Sequence, residues 1–76
     1  MPRLRGLSGE AVVKIFCNRF GFVISGRSGS HVRISKMTPH GKIGTVVPLH
    51  DELKPGTLKS VLNLAKIDPD DFAECL

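Results

Sequence analysis

The strongest constraint on the fold is the spacing of three β-prone runs, residues 22–25, 30–36 and 42–47. Only Gly26-Arg27-Ser28-Gly29 and Met37-Thr38-Pro39-His40-Gly41 separate them. Both separators are turn chemistry, because Gly, Ser and Pro supply the special backbone angles that a reversal needs. A parallel crossover takes a dozen or more residues, and neither separator is that long, so the runs must meander antiparallel. Alternation in the second run puts Val32 and Ile34 on one face and His31, Arg33 and Ser35 on the other. Pro48 closes the third run.

Helical patterns flank the meander. Ser8 is placed to cap a helix over 9–20, with Val12, Val13, Phe16, Cys17 and Phe20 as its apolar stripe and Lys14 and Arg19 outside. Gly21 suits the left-handed position that ends such a helix. Pro55 opens a second helix after Lys54, with Leu58, Val61, Leu62 and Ala65 as its stripe. Asp68-Pro69-Asp70-Asp71 starts a short third helix, tacked down by Phe72 and Leu76. The expected architecture is α+β in the order α-β-β-β-α. A three-stranded antiparallel sheet carries two helices on one face, a short C-terminal helix follows, and the other face is open.

A chain of 76 residues has room for one core and buries roughly 60% of its unfolded surface. The expectation is a single domain over 1–76 with its core at about 8–72. At 41% hydrophobic and 24% charged the composition is globular. The basic start, Met1-Pro2-Arg3-Leu4-Arg5-Gly6, leads into no signal-peptide core, and no run is long enough to span a bilayer. A soluble cytoplasmic protein with no membrane partner is expected. Cys17 and Cys75 form no paired motif, Cys17 reading as a buried thiol, and the three histidines are scattered. No metal site and no small-molecule cofactor is expected.

The net charge of +4 conceals an asymmetry. Up to His50 there are eight Lys and Arg against one acid; from Asp51 on there are three Lys against six acids. A basic front part attracts a phosphate backbone, or is simply a solvated surface. Here the cations surround Gly- and Ser-rich turns and a histidine. Aromatic residues are only 5%, without Trp or Tyr, which argues against a stacking platform for single strands.

Three local features carry candidate chemistry: Gly29-Ser30-His31, Val47-Pro48-Leu49-His50 and Leu53-Lys54-Pro55-Gly56-Thr57-Leu58. RNA brings its own nucleophile, the 2′-hydroxyl, so cleaving it requires a base, nearby cations and in-line geometry. Histidine titrates near neutral pH and can take or give a proton. His31 is the candidate catalytic base. Arg33 on the same face and Arg27 in the adjoining turn are candidates to hold phosphate oxygens. Ser30 and Lys36 join them as candidate RNA contacts. His50 is either a second acid/base group or a surface loop residue, and His40 is a turn residue. Lys54 and Lys59 flank a helix start, where free N–H groups favour a phosphate; the alternative is that Pro55-Gly56-Thr57 merely starts the helix.

In this order and at this spacing, the three features resemble the HicA family of toxins from toxin–antitoxin pairs. Phe20-Gly21-Phe22-Val23 and Ile67-Asp68-Pro69-Asp70-Asp71-Phe72 fit the same pattern. The likeness covers roughly 8–72. It implies a double-stranded-RNA-binding-domain-like fold and mRNA cleavage as the toxic activity of a type II system; the chemistry read from His31 and the 2′-hydroxyl is expected to need no metal. It also implies a HicB-type antitoxin as partner. The histidine of the family's Gly-Ser-His motif is its catalytic residue, and that position is His31. After it this chain has Val32 and Arg33, where many members carry another His or an aromatic. The competing reading is a non-catalytic module, binding double-stranded RNA or an antitoxin through the same fold. A pure binder would have no need of a titratable group at position 31.

Overall fold

The computed structural model describes residues 6–76, so the basic start at Arg3 and Arg5 lies outside the described residues. Helix α1 (Gly9–Arg19) begins at Ser8, whose hydroxyl accepts the Ala11 N–H at 3.1 Å. It ends at Phe20, and Gly21 follows with φ +74. Val12, Val13 and Phe16 are buried. Cys17 and Phe20, expected in the core, are only partly buried against it. They lie at the margin of the stripe, where the helix runs out, and the Phe20 ring stacks on Phe72 at 6.4 Å.

Strands β1 (Val23–Ser28), β2 (His31–Thr38) and β3 (Gly41–Pro48) form an antiparallel sheet in the order β1-β2-β3. The turn expected over 26–29 contracts to Gly29 and Ser30. Ser28 pairs with His31, and Gly29 takes φ +59, the conformation a two-residue hairpin needs at its first central position. Gly26, Arg27 and Ser28 therefore belong to β1, opposite Arg33, Val32 and His31. Their weak β-propensity is outweighed by the ladder hydrogen bonds that continued pairing provides. The register shifts between Ile24 and Gly26, a bulge at Ser25 of the kind common on edge strands. The second hairpin reverses over Pro39 and His40. There the Thr38 hydroxyl donates to the Gly41 carbonyl at 2.7 Å and accepts the His40 N–H at 3.1 Å.

Helix α2 (Pro55–Leu64) packs on β3, where the buried Thr45 hydroxyl donates to the Val61 carbonyl at 3.1 Å. The helix ends through Lys66, which adopts φ +60, while the Ile67 N–H reaches back to the Leu62 carbonyl at 3.0 Å. Helix α3 (Pro69–Ala73) is capped by Asp68. Its Phe72 closes the core, with ring centroids 5.7 Å from Phe16, which in turn lies 5.2 Å from Phe22. Leu76, expected to help anchor this helix, is exposed. Val32, Ile34 and Val47 are buried toward the helices, and His31, Arg33 and Val46, alternating with them, are exposed. One face of the sheet is thus covered and the other open, as expected. Both cysteines are free and partly buried. No helix of the described residues is long and apolar enough to cross a membrane.

Candidate functional site

His31 is the first residue of the central strand. It pairs with Ser28 on one side and with Pro48 on the other. The two flank its backbone, while its exposed side chain faces the open side of the sheet. The next hydrogen bond along, Leu49 N–H to the Ser30 carbonyl at 2.6 Å, carries the β2–β3 pairing past the hairpin turn. Among the described residues the imidazole has no hydrogen-bond partner, which leaves both ring nitrogens available to a ligand.

His31 opens onto a cavity of about 200 Å³ bordered by Gly26, Arg27, Ser28, Arg33 and Val46. Arg33 shares its face, two residues along the strand, which sets the Cα atoms roughly 6.6 Å apart. The Arg33 side chain lies across β1: a Cβ added to Gly26 would meet its Nη1 at 3.8 Å. That distance is an ordinary van der Waals contact, so the guanidinium lies beside position 26 without crowding it. Among the described residues the one ion pair joins Lys14 to Glu10 on the outer face of α1. The cations near His31 are thus not neutralised by carboxylates of the described chain.

The other candidates separate. Arg27 borders the cavity, yet its pairing with Val32 turns its Cβ to the opposite face; it is a strand residue, not the turn residue expected. Lys36 alternates to the helix side, with its ammonium 2.9 Å from the Phe20 carbonyl and 5.2 Å from the Phe22 ring centre. It is not part of the His31 cluster. Ser30 stands in the hairpin turn beside His31. His50 is exposed near this end of the sheet, its carbonyl taking the Gly9 N–H at 2.9 Å, and it does not line the His31 cavity. His40 sits in the hairpin turn at the far end of β2. Lys54 is the N-cap residue of α2, extended as a residue before proline must be, and its side chain makes no capping bond. Lys59 borders a surface hollow of about 510 Å³ between α2 and α3, which has no residue in common with the His31 cavity.

One further cation on the open face is not evident from the sequence pattern. Lys42 pairs with Met37, which places it in line with Arg33 and Ser35. The parity of the hairpin is the signal, and it depends on a turn of Pro39 and His40 alone. Among the described residues no three His, Cys, Asp or Glu side chains gather as a metal site would require.

The site can therefore supply one proton acceptor or donor, a planar cation beside it and an open approach. A family model described as "HicA toxin of bacterial toxin-antitoxin" matches residues 9–67. No curated protein and no solved structure gives a significant match. The matched span runs from the first residue of α1 through all of β1, β2, β3 and α2. It takes in His31, Arg33 and both hairpins, and on that match the chain belongs to the HicA toxin family of bacterial toxin–antitoxin systems.

Proposed function

We propose that this toxin is a metal-independent endoribonuclease that cleaves mRNA at His31, acts in the cytoplasm and is held inactive by a HicB-type antitoxin. The observation that carries the reading is the pairing of one solvent-facing histidine with Arg33 on an uncovered sheet face, beside a cavity lined by no carboxylate.

The neutral imidazole takes the proton from a ribose 2′-hydroxyl as that oxygen attacks the adjacent phosphorus. The bond from phosphorus to the 5′-oxygen breaks, and the leaving oxygen receives a proton from the imidazolium or from water. The products are a 2′,3′-cyclic phosphate and a 5′-hydroxyl. Arg33 bears on the phosphoryl oxygens, whose charge grows in the transition state. Arg27, Ser30, Lys54 and Lys59 are the further RNA contacts of this reading. Lys54 stands where the first N–H groups of α2 are free. His50, exposed near the same end of the sheet but outside the cavity, is the auxiliary acid/base candidate of this reading.

The test is induced expression of wild type and His31→Ala, with growth and mRNA integrity followed together, and the purified proteins assayed in EDTA. The expected result is growth arrest and cyclic-phosphate ends from wild type only. A folded His31→Ala chain that still cuts RNA removes the histidine from the reaction. 3′-Hydroxyl products remove the transesterification. A wild-type chain that binds RNA or its antitoxin and cuts nothing makes the domain a binding module.

A further inference from the structure

A second depression, about 340 Å³, runs from the open face of the sheet past Thr45 on β3 to Leu64 at the end of α2, and meets the His31 cavity at Arg33 and Val46. Its volume falls in the range of about 300–1,000 Å³ usual for small-molecule sites. Ser35 and Gly44, which pair across β2 and β3, are both among its lining residues. Arg33 and Lys42 stand over it, and Val46 and Leu64 give it apolar walls.

Two features of its lining lack a structural explanation within the fold. Gly44 lies mid-strand without a positive φ, and an added Cβ would find only ordinary contacts, at 3.5 Å to the Ile34 carbonyl and 3.7 Å to Ser35 Cβ. Neither backbone angle nor crowding requires glycine there, although glycine weakens a strand interior. A bare strand position is what close approach by a ligand requires. Ser35 is only 5% exposed, yet among the described residues its hydroxyl has no hydrogen-bond partner. No side-chain oxygen is both fully enclosed and unpartnered, so the Ser35 hydroxyl reaches the surface of the depression. A hydroxyl that reaches the depression without a protein partner is free to bond a ligand there.

We infer that this depression seats one unpaired nucleotide next to the scissile phosphate. The base lies on the bare backbone at Gly44 within reach of the Ser35 hydroxyl, and its phosphate lies toward Arg33 and Lys42. The inference rests on the RNA-cleaving reading for the identity of the polymer. Its chemistry favours RNA over a protein segment, since the walls carry two cations and no acid, and the depression continues into the His31 cavity. A base must leave its stack to enter, so the substrate at this position is single-stranded.

The probe is a set of single-stranded 2′-O-methyl oligoribonucleotides, uncleavable because the nucleophile is blocked, that differ at one base. Their affinity for the full chain is read by fluorescence anisotropy. Gly44→Val fills the floor and is expected to weaken binding about tenfold, the scale of one base-recognition interaction. Ser35→Ala is expected to narrow the spread of affinities among the four bases. Folding is followed by thermal melting; should Gly44→Val not fold, Ser35→Ala decides alone. Unchanged affinity and unchanged base preference overturn the inference. So does weakened binding of the antitoxin with RNA binding intact, which makes the depression a protein-binding surface. If wild type cuts RNA while the variants match it in binding, the depression fails and the cleavage reading stands. Binding that depends on Gly44 in a chain that cuts nothing has the opposite meaning.

Discussion

The Gly9 backbone lies against the Pro48 carbonyl so closely that a side chain at position 9 has no space. An added Cβ would also come within 2.8 Å of Leu49 Cα. The Gly9 N–H donates to the His50 carbonyl at 2.9 Å, so the first turn of α1 is bolted to the end of β3. Pro48 is in turn the register partner of His31. The start of the first helix therefore fixes the strand end that positions the imidazole.

Gly9→Ala is accordingly expected to destabilise the chain by about 1–3 kcal/mol, the usual result of forcing a methyl group into filled space. Chemical denaturation measures it. Amide chemical shifts should move at Val47, Leu49 and His50 and around His31. A variant as stable as wild type would mean that the helix start can slide off the strand at little cost.

Arg33 makes a sharper demand on chemistry than on folding. Its side chain is exposed and lies over Gly26, so removing it should leave the core intact. Arg33→Ala is expected to slow single-turnover cleavage at saturating RNA by about 10²–10³-fold, the effect of deleting one preorganised donor to a developing charge. Arg33→Lys should recover only part of that, because a point charge does not reproduce the planar fork. Equal rates for all three proteins would show that the transition state is stabilised elsewhere.

Lys36 and Lys54 should respond in opposite ways. Lys36 holds the Phe20 carbonyl and covers the Phe22 ring on the helix side of the sheet. Lys36→Met is expected to cost about 1 kcal/mol of stability, the net worth of one hydrogen bond, with the salt dependence of RNA binding unchanged. The Lys54 side chain makes no capping bond at the start of α2. Lys54→Ala should leave stability nearly untouched and lower the slope of log K against log salt by about 0.7–0.9, the share of a single neutralised phosphate. Anisotropy titrations at several salt concentrations separate the two residues.

The contrast shows what is legible in the sequence. The period-two pattern of β2 is local, so the faces of Val32, Ile34, His31 and Arg33 can be read directly. The same parity assigns Lys36 to the helix side; positive charge alone makes it an RNA candidate. Arg27 is out of reach, because its face depends on the turn contracting to Gly29 and Ser30, a choice made by the ladder rather than by turn propensity. Lys42 and Gly44 need the register of the second hairpin. The burial of Ser35 is a matter of relative height. A short side chain sits below Arg33, Lys42 and Val46, and no pattern along one strand records the length of side chains on the next. Ser8, Pro55 and Asp68 need only their own neighbours, and all three helix starts fall where those residues put them.

The end of α2 gives a prediction with the opposite sign. Lys66 holds φ +60 where the helix reverses, a left-handed conformation that costs a residue with a Cβ about 1–2 kcal/mol. The position is held because the Ile67 N–H must return to the Leu62 carbonyl, and because Ile67 itself is buried. Glycine adopts the angle freely and is the usual occupant of this site. Lys66→Gly is therefore expected to stabilise the chain by about 0.5–1 kcal/mol, the strain released less the extra freedom glycine gains when unfolded. In a domain of this size, 1 kcal/mol corresponds to roughly 4–8 °C in melting temperature. The Lys66 side chain is exposed and far along the chain from His31, so removing its charge should not alter the cleavage rate. A lowered melting temperature would mean that the Lys66 side chain contributes more to the folded state than its backbone strain removes.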